Sequence, residues 1–250
     1  MNGEAKNQDF VRLSPVGTGN CRKMILSVII PAYNEIRTIE EILRRIKIVD
    51  IAKEVIIVDD GSTDGTREFL HSMENEKGFK VLFHAGNKGK GAAIRTAIPY
   101  ASGDIIIIQD ADLEYDPQDY HKVIAPIIEG RASVVYGSRY FRLENYIPFT
   151  RYMMGVLLLT AMANVLFGAR ITDEATCYKA FRADVLKSLP LKCVRFEFCP
   201  EVTAKVRKRG YRITEVPISF HSRNVKEGKK IGWKDGLEAV LVLIKYRFIN

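Results

Sequence analysis

The segment 104–117 joins four consecutive isoleucines to a run of carboxylates at alternate positions: Asp110, Asp112, Glu114 and Asp116. Like charges this close repel one another unless a positive partner lies among them. Hard oxygen ligands of this kind select Mg²⁺ or Mn²⁺, which can bridge a carboxylate to a phosphate. The segment therefore predicts a divalent metal site. The alternative is a strand-end turn with solvated acids.

Basic residues predict an anionic partner for the same protein. The net charge is +8, and the excess is concentrated in the last third of the chain. It comprises Lys205, Arg207, Lys208, Arg209, Arg212, Arg223, Lys226, Lys229, Lys230 and Lys234. A solvated basic face is the alternative. Nucleic acid is disfavoured, because aromatic residues are not interleaved with the basic ones and the acidic segment would repel a phosphate backbone.

The elements that must position these residues alternate between strand-like and helical patterns. Apolar runs at 25–31, 53–60, 79–84, 104–110 and 132–140 are separated by helical patterns at 35–46, 63–73, 90–101 and 117–130. This alternation predicts an α/β fold with a mostly parallel sheet. The first four runs lead into polar motifs, so these motifs should gather at the carboxyl edge of the sheet, where ligands bind. Alternate residues of an extended chain share a face, so Asp110 and Asp112 should point the same way if the backbone stays extended.

Two common nucleotide-binding patterns are absent from this framework. The first turn, "PAYNEIRT", has no glycine, which argues against a dinucleotide-binding dehydrogenase. The glycine-rich turn at 86–91 lacks the Lys-Ser/Thr ending of a P-loop. It should still offer free backbone N–H groups to an anion at a helix N-terminus, with Lys88 and Lys90 adding charge.

Length and composition predict one domain with a short extension. At 250 residues and 47% hydrophobic, the chain can bury a large core. Residues 1–24 are polar and without period, and they are expected to form a flexible extension without a signal peptide.

Four cysteines without regular spacing favour a reducing, cytoplasmic location over a disulfide scaffold or zinc site. The apolar segment 153–169 is short for a membrane span, so it predicts either a core helix or an interfacial one.

Together the motifs resemble one enzyme family. They are "SVIIPAYNE", "VIIVDDGSTDGT", "NKGKGAA", "IIIIQDADLEYDP", "VVYGSRY", "TDEATCYKAFR" and "GYRITEVPISF". In this order they resemble the inverting, metal-dependent family 2 glycosyltransferases, in particular the branch that transfers mannose or glucose to polyprenyl or dolichyl phosphate. The resemblance implies a single Rossmann-like domain of the A-type glycosyltransferase fold over 25–250, with helices on both faces of the sheet. Residues 25–140 would bind the nucleotide sugar, and 141–250, with the basic C-terminal segment, would bind the acceptor.

The resemblance also assigns roles to individual residues. The nucleotide-sugar site would comprise Pro31, Tyr33, Glu35, Asp59, Lys90, Asp110, Ala111 and Asp112. Tyr33 would lie against the base, Glu35 would bind the ribose, and Asp59 would accept a hydrogen bond from the edge of uracil or guanine. A core tyrosine is the alternative for Tyr33, and Asp60, Ser62 and Asp64 could instead cap a helix.

Metal, catalytic and acceptor residues follow from the same resemblance. The metal, Mg²⁺ or Mn²⁺, would be bound by Asp110, Asp112 and Glu114. Catalysis would involve Asp112, Asp173 and Arg139, and the acceptor phosphate would be held by Arg139, Arg151, Arg223 and Lys229. Helix capping by Asp173 and a surface position for Arg139 are the alternatives. The sequence departs from close relatives at Glu114, where they usually have Gln, and in "ATCYKAFR", where they have Ser-Gly-Phe-Arg.

The expected activity is transfer of a hexose from a nucleoside-diphosphate sugar, such as GDP-mannose or UDP-glucose, to a polyprenyl phosphate. A hydroxyl acceptor would need a general base, for which Asp173 is the candidate. A lipid phosphate is already ionised and needs cations instead. The alternatives are the same chemistry on a soluble metabolite or glycan, or a binding module without catalysis. The protein is expected in the cytoplasm, either free or peripherally bound to anionic lipid at the cytoplasmic face of the membrane.

Overall fold

The structure of the protein is a computed structural model that describes residues 24–142, 145, 151–223 and 232–249. The side chains of Arg151 and Tyr152 are outside this description, although their backbone is part of a helix. Residues 1–23 of the predicted extension and Lys229 also lie outside the described residues.

A seven-stranded sheet in the order β3-β2-β1-β4-β6-β5-β7 forms the centre of the protein. Its strands are β1 (Leu26–Ala32), β2 (Lys53–Asp59), β3 (Phe79–Phe83), β4 (Ile105–Ile108), β5 (Val134–Ser138), β6 (Lys179–Arg182) and β7 (Thr214–Pro217). All neighbours are parallel except β6, which is antiparallel to both β4 and β5. The predicted α/β fold with a mostly parallel sheet is therefore confirmed.

Strand β4 is buried on both faces, as its unbroken isoleucine run predicts. Ile105, Ile106, Ile107 and Ile108 are each at most 1% exposed. Full burial of one such side chain is worth about 1.5–3 kcal/mol relative to leaving it in water. The apolar run therefore fixes β4 in the middle of the sheet and carries the acidic segment to its carboxyl edge.

Eight α-helices are present among the described residues. They are α1 (Ile39–Ile48), α2 (Thr66–Ser72), α3 (Lys90–Ala97), α4 (Tyr120–Ile128), α5 (Arg151–Phe167), α6 (Ala183–Ser188), α7 (Phe198–Lys208) and α8 (Trp233–Phe248). The four helical patterns of the first half correspond to α1–α4. The sequence from 237 to 250, "LEAVLVLIKYRFIN", has the spacing of an amphipathic helix and lies largely within α8. Helices α6 and α7 were not predicted from the sequence.

A buried polar cluster anchors the C-terminal helix α8 to α7. The Glu201 carboxylate accepts hydrogen bonds from the Tyr246 hydroxyl at 2.7 Å and the Lys192 backbone N–H at 2.8 Å. Glu201 also forms an ion pair with Lys205, whose ammonium lies 4.4 Å from the centre of the Tyr246 ring. A buried charge is tolerated when it is paired and hydrogen-bonded in this way, so α8 has a specific docking position.

Helices α5 and α8 expose a shared apolar surface. On α5, Leu159 and Ala163 are buried, so the helix is packed on one side. Other apolar side chains of the two helices are exposed: Met154, Leu157, Leu158, Val165, Trp233, Leu237, Leu241, Ile244 and Phe248. We call these residues the α5/α8 apolar face. Among the described residues, none of the helices combines the length and apolarity that crossing a bilayer requires.

Candidate active site

The loops after β1 and β2 are tied together at the carboxyl edge of the sheet. Ala32 pairs with Asp59 at the ends of these strands. Beyond them, the Asn34 N–H donates to Ser62 Oγ at 2.9 Å, and the Asn34 side-chain oxygen accepts from the Thr63 N–H at 2.8 Å. These bonds bring the predicted nucleotide-sugar residues of two separate motifs to one place.

The acidic segment does not stay extended after β4. The chain turns at 111–114, Leu113 has a φ of 62°, and Asp112 Oδ1 accepts the Glu114 N–H at 3.1 Å. The condition for Asp110 and Asp112 to point the same way, an extended backbone, is therefore not met. The physical reason is the local hydrogen bond of the aspartate side chain, which stabilises a turn in place of a strand. The two carboxylates consequently meet different cations.

Asp110 is paired with Lys90 from the start of α3. Its Oδ1 lies 2.5 Å from the lysine Nζ, which is also 3.7 Å from Cys177 Sγ. Burial by itself lowers the pKa of Lys90, but the attraction of Asp110 outweighs it and raises this pKa well above its usual value. Burial raises the pKa of Asp110, and the attraction of Lys90 reverses this into a net lowering. Lys90 is therefore a fixed cation beside the predicted metal ligands.

Arg223 connects the other predicted acids. Its Nη2 lies 2.7 Å from Asp112 Oδ2, its Nη1 lies 3.3 Å from Glu35 Oε2, and its backbone N–H donates to Glu114 Oε1 at 2.9 Å. Burial, followed by the charges of Asp110 and Glu114, raises the pKa of Asp112 to about 7 despite the opposing effect of Arg223. The predicted ribose, metal and phosphate-binding residues thus share one cluster.

The residues of this cluster suit a divalent metal whose remaining coordination comes from a bound substrate. In the described part of the chain, no group of three or more His, Cys, Asp or Glu residues is arranged to hold a metal ion by itself. Mg²⁺ is usually bound by one or two carboxylates together with substrate phosphates, and Asp110 and Asp112 can supply that number. Burial, and after it the charges of Asp110 and Glu114, raises the pKa of Asp112, and a divalent cation beside it would favour the ionised carboxylate.

A second charged pair lies after β5. Arg139 binds Asp173 through two parallel contacts of 2.7 Å, from Nε to Oδ2 and from Nη2 to Oδ1, and its backbone N–H donates to Oδ2 at 3.1 Å. Asp173 is fully buried, and the Arg139 side chain is 13% exposed. Burial lowers the pKa of Arg139, but the attraction of Asp173 outweighs it and raises that pKa further. Both oxygens of Asp173 are thus occupied in orienting Arg139.

Glu215 on β7 supports this pair, although its role was not predicted from the sequence. Its carboxylate accepts the backbone N–H groups of Thr172 at 2.8 Å and Asp173 at 3.1 Å. The Thr172 hydroxyl lies 2.7 Å from Ser138 Oγ at the end of β5. The sequence signal that could have identified Glu215 was a carboxylate inside the mainly apolar run "ITEVPI". Glu215 therefore fixes the backbone that carries Asp173.

The glycine-rich turn does not offer the anion site that was expected. The Asp60 carboxylate accepts the N–H groups of Lys88 at 2.9 Å and Gly89 at 2.7 Å. Farther along, the Gly91 N–H donates to Arg195 O and the Ala92 N–H donates to Val194 O, both at 2.9 Å. The expectation is therefore wrong for these four N–H groups, because Asp60 is itself the anion at the start of α3.

The remaining predicted residues lie around the same edge or outside the description. Pro31 and Tyr33 are half-buried, Glu35 is buried, and Ala111 is buried in the acidic turn. Asp59 ends β2 and is paired with Arg67 at 2.9 Å. Arg151 begins α5, but its side chain is not described, and Lys229 lies outside the described residues.

Sequence and structure comparisons identify relatives of this chain. The family described as "Glycosyl transferase family 2" matches residues 27–189. A dolichol-phosphate mannosyltransferase of Pyrococcus furiosus is 31% identical over 216 residues, which cover 84% of this chain and 60% of that protein. The UDP-N-acetylglucosamine–dolichyl-phosphate N-acetylglucosaminyltransferase of Methanococcus voltae is 33% identical over 214 residues, covering 78% of this chain and 84% of that protein. The chain thus spans less than two thirds of the length of the Pyrococcus relative.

Solved structures share the fold. Glucosyl-3-phosphoglycerate synthase from Mycobacterium tuberculosis in complex with UDP has a TM-score of 0.71 at 20% identity, covering 91% of this chain and 81% of that one. The same enzyme with Mn²⁺, UDP and glucosyl-3-phosphoglycerate has a TM-score of 0.68 at 21% identity, with the same coverage. At this level of identity the likeness establishes the fold alone.

Proposed function

The chain belongs to glycosyl transferase family 2, and from this premise we propose that it transfers a hexose from a nucleoside-diphosphate sugar to a polyprenyl phosphate, with inversion at the anomeric carbon. The observation that carries the choice of acceptor is the Arg139–Asp173 pair. A hydroxyl acceptor needs a base to take its proton, but both Asp173 oxygens accept N–H groups of Arg139. An ionised phosphate needs a fixed cation instead, which Arg139 provides. The names of the Pyrococcus and Methanococcus relatives support the same acceptor class.

In the proposed reaction, the described residues bind and orient the two substrates. Tyr33 and Glu35 receive the nucleoside, and Lys90 and Arg223 supply positive charge for the departing diphosphate. Mg²⁺ or Mn²⁺ bound by Asp110 and Asp112, with Glu114 beside them, would act as a Lewis acid on that diphosphate. Arg139 holds the acceptor phosphate so that its oxygen attacks the face of the sugar opposite the leaving group.

A transfer assay with acceptors in separate reactions tests this function. We expect radiolabelled hexose from UDP-glucose or GDP-mannose to enter the organic phase when a polyprenyl phosphate and Mn²⁺ are present, and not when EDTA replaces Mn²⁺. The dephosphorylated polyprenol is the matched control, since it lacks the anion that Arg139 would bind. Transfer to 3-phosphoglycerate or a glycan, with none to the lipid phosphate, would establish the soluble-acceptor alternative instead.

We further propose that the α5/α8 apolar face docks on an anionic membrane, where such an acceptor would reside. Its apolar side chains are bordered on α8 by the exposed basic residues Lys234, Lys245 and Arg247. Trp233, at the start of α8, is 75% exposed. An apolar face with basic residues and tryptophan at its margin is typical of helices that lie in a membrane interface.

Leu241→Glu should weaken sedimentation with vesicles that contain phosphatidylserine by about tenfold. A charge would replace an apolar side chain that is 57% exposed, and it would be opposed both by the hydrocarbon and by the negative lipid surface. Ile48→Glu is the matched control, since Ile48 is 61% exposed but lies on α1. Wild-type binding should also fall with rising salt. Equal binding of both variants, or no wild-type binding at low salt, would contradict this docking surface.

A further inference from the structure

Arg67 occupies a position at the carboxyl edge of the sheet that neither the motifs nor the family resemblance singled out. It belongs to the first turn of α2. Its Nη1 donates to Asp59 Oδ2 and to the carbonyl oxygen of His84, both at 2.9 Å. Since Asp59 ends β2 and His84 directly follows β3, the guanidinium spans the ends of two neighbouring strands.

This pairing hides Asp59 and leaves Arg67 accessible. The Asp59 side chain is 0% exposed, whereas that of Arg67 is 29% exposed. The Nε and Nη2 groups of Arg67 donate no hydrogen bond to any other residue of the described chain. The guanidinium therefore keeps N–H donors for a ligand, while its charge is balanced by Asp59.

Aromatic packing holds the guanidinium in this place. Its central carbon lies 5.0 Å from the centre of the Phe83 ring, and Phe83 in turn stacks on His71 with ring centres 4.0 Å apart. Arginine stacks well on aromatic faces because its guanidinium is planar and weakly hydrated. Two hydrogen bonds and one stacking contact therefore orient the remaining donors before any ligand binds, which reduces the entropy cost of using them.

We propose that Arg67 selects the base of the donor nucleotide by donating a hydrogen bond to its ring carbonyl oxygen, at C4 of a pyrimidine or C6 of a purine. This inference rests on the proposed function, because it places the nucleotide at this edge. Uracil, guanine and hypoxanthine carry an oxygen at that position. Cytosine and adenine carry an amino group, whose N–H bonds would face another donor. Asp59 then acts as the positioning residue for Arg67, in place of contacting the base directly.

The expected discrimination is about 10- to 100-fold in affinity, as for other specific contacts between side chains and bases. It is measured by calorimetric titration of the whole chain with nucleoside diphosphates in Mn²⁺. Two pairs are compared, UDP against CDP and IDP against ADP; within each pair the carbonyl member also carries N–H at the adjacent ring nitrogen, so the Arg67 variants, which remove only the arginine donors, show which group is read. We expect the member with the carbonyl oxygen to bind more tightly within each pair. Equal affinities, or tighter binding of the amino member, would overturn the role of Arg67.

Arg67→Met should reduce the ratio of affinities within a pair to about twofold or less, because the discriminating donors are gone. Since it also leaves Asp59 buried without its partner, the charge-balanced variant Arg67→Met/Asp59→Asn is tested beside it. Arg44→Met is the control, because Arg44 pairs with Glu41 on the exposed surface of α1 and its loss should leave the ratio unchanged.

The outcomes separate this inference from the proposed function. If the folded double variant keeps the wild-type ratio, Arg67 does not read the base, and the transferase proposal stands. If the wild-type chain binds none of the four diphosphates in Mn²⁺, the nucleotide site itself is refuted, and both proposals are withdrawn. A preference present in the wild type and lost in both Arg67 variants supports the assignment.

Discussion

Asp112→Asn is expected to reduce sugar transfer about 10³-fold. A bound metal contributes several kcal/mol to stabilising the charge of the transition state, and each 1.36 kcal/mol corresponds to a tenfold change in rate. The amide keeps the size of the side chain and can still accept the Glu114 N–H, but it removes the charged oxygen that a divalent cation prefers. The measurement is initial transfer rate at saturating Mn²⁺, and wild-type turnover in this variant would refute the metal assignment.

The same variant should be at least as stable as the wild type when a chelator is present. Burial and the neighbouring carboxylates raise the pKa of Asp112 to about 7, so its ionised form is unfavourable in the folded protein. Neutralising it removes that penalty, and the melting temperature should not fall. Asp116→Asn is the matched control, since Asp116 accepts the Gln118 N–H at 3.0 Å outside the cluster. It should retain wild-type transfer, which would separate the role of Asp112 from a general effect of acid loss in this loop.

Asp173→Ala is expected to cost about 3–5 kcal/mol of folding stability, the usual consequence of removing one partner of a buried ion pair. Arg139 would then be left with its charge uncompensated, and transfer to the acceptor should also be lost. The double variant Arg139→Met/Asp173→Leu removes both charges and should recover most of the stability without recovering transfer. Urea unfolding and a transfer assay measure the two effects separately.

Acceptor kinetics show whether Asp173 positions Arg139 or acts as a base. If it positions Arg139, Asp173→Asn and Arg139→Met should both raise the acceptor KM, and the pH profile of kcat should keep its shape. If Asp173 takes a proton, its loss should lower kcat, remove an acidic limb from that profile and leave the acceptor KM unchanged. The second pattern would contradict our proposal that the acceptor is already ionised.

The first half of the fold was predictable because its signals are local. β-Branched runs form β1, β2 and β4, and helical spacing of isoleucines forms α1. Strand β6 gave no comparable signal, since it has four residues, "KAFR", with a basic residue at each end. Its place between β4 and β5 depends on long-range packing, which periodicity does not report.

Residue types at the site were predictable, but many of their partners were not. Arg223 reaches Asp112 across 111 positions of sequence and Glu35 across 188, and no spacing rule connects residues so far apart. The sequence offered Asp60 as a cap for the helix that follows it, yet its carboxylate accepts backbone N–H groups of the turn before α3. Family motifs identify which groups carry the chemistry, whereas the network that orients them depends on the packed fold.

Strand β6 lies between β4 and β5 and runs opposite to both, and its position sets the width of the site. Neighbouring strands lie about 4.8 Å apart, so inserting β6 between β4 and β5 separates the ends of these two strands, which lead into the acidic turn and Arg139, by roughly 10 Å. Because β6 is antiparallel to β4 and β5, it starts at the sheet edge where they end. The segment before β6, with Asp173, therefore lies at that edge. Under the proposed function, the inserted strand would therefore act as a spacer that leaves room for one sugar ring between the diphosphate and the acceptor anion.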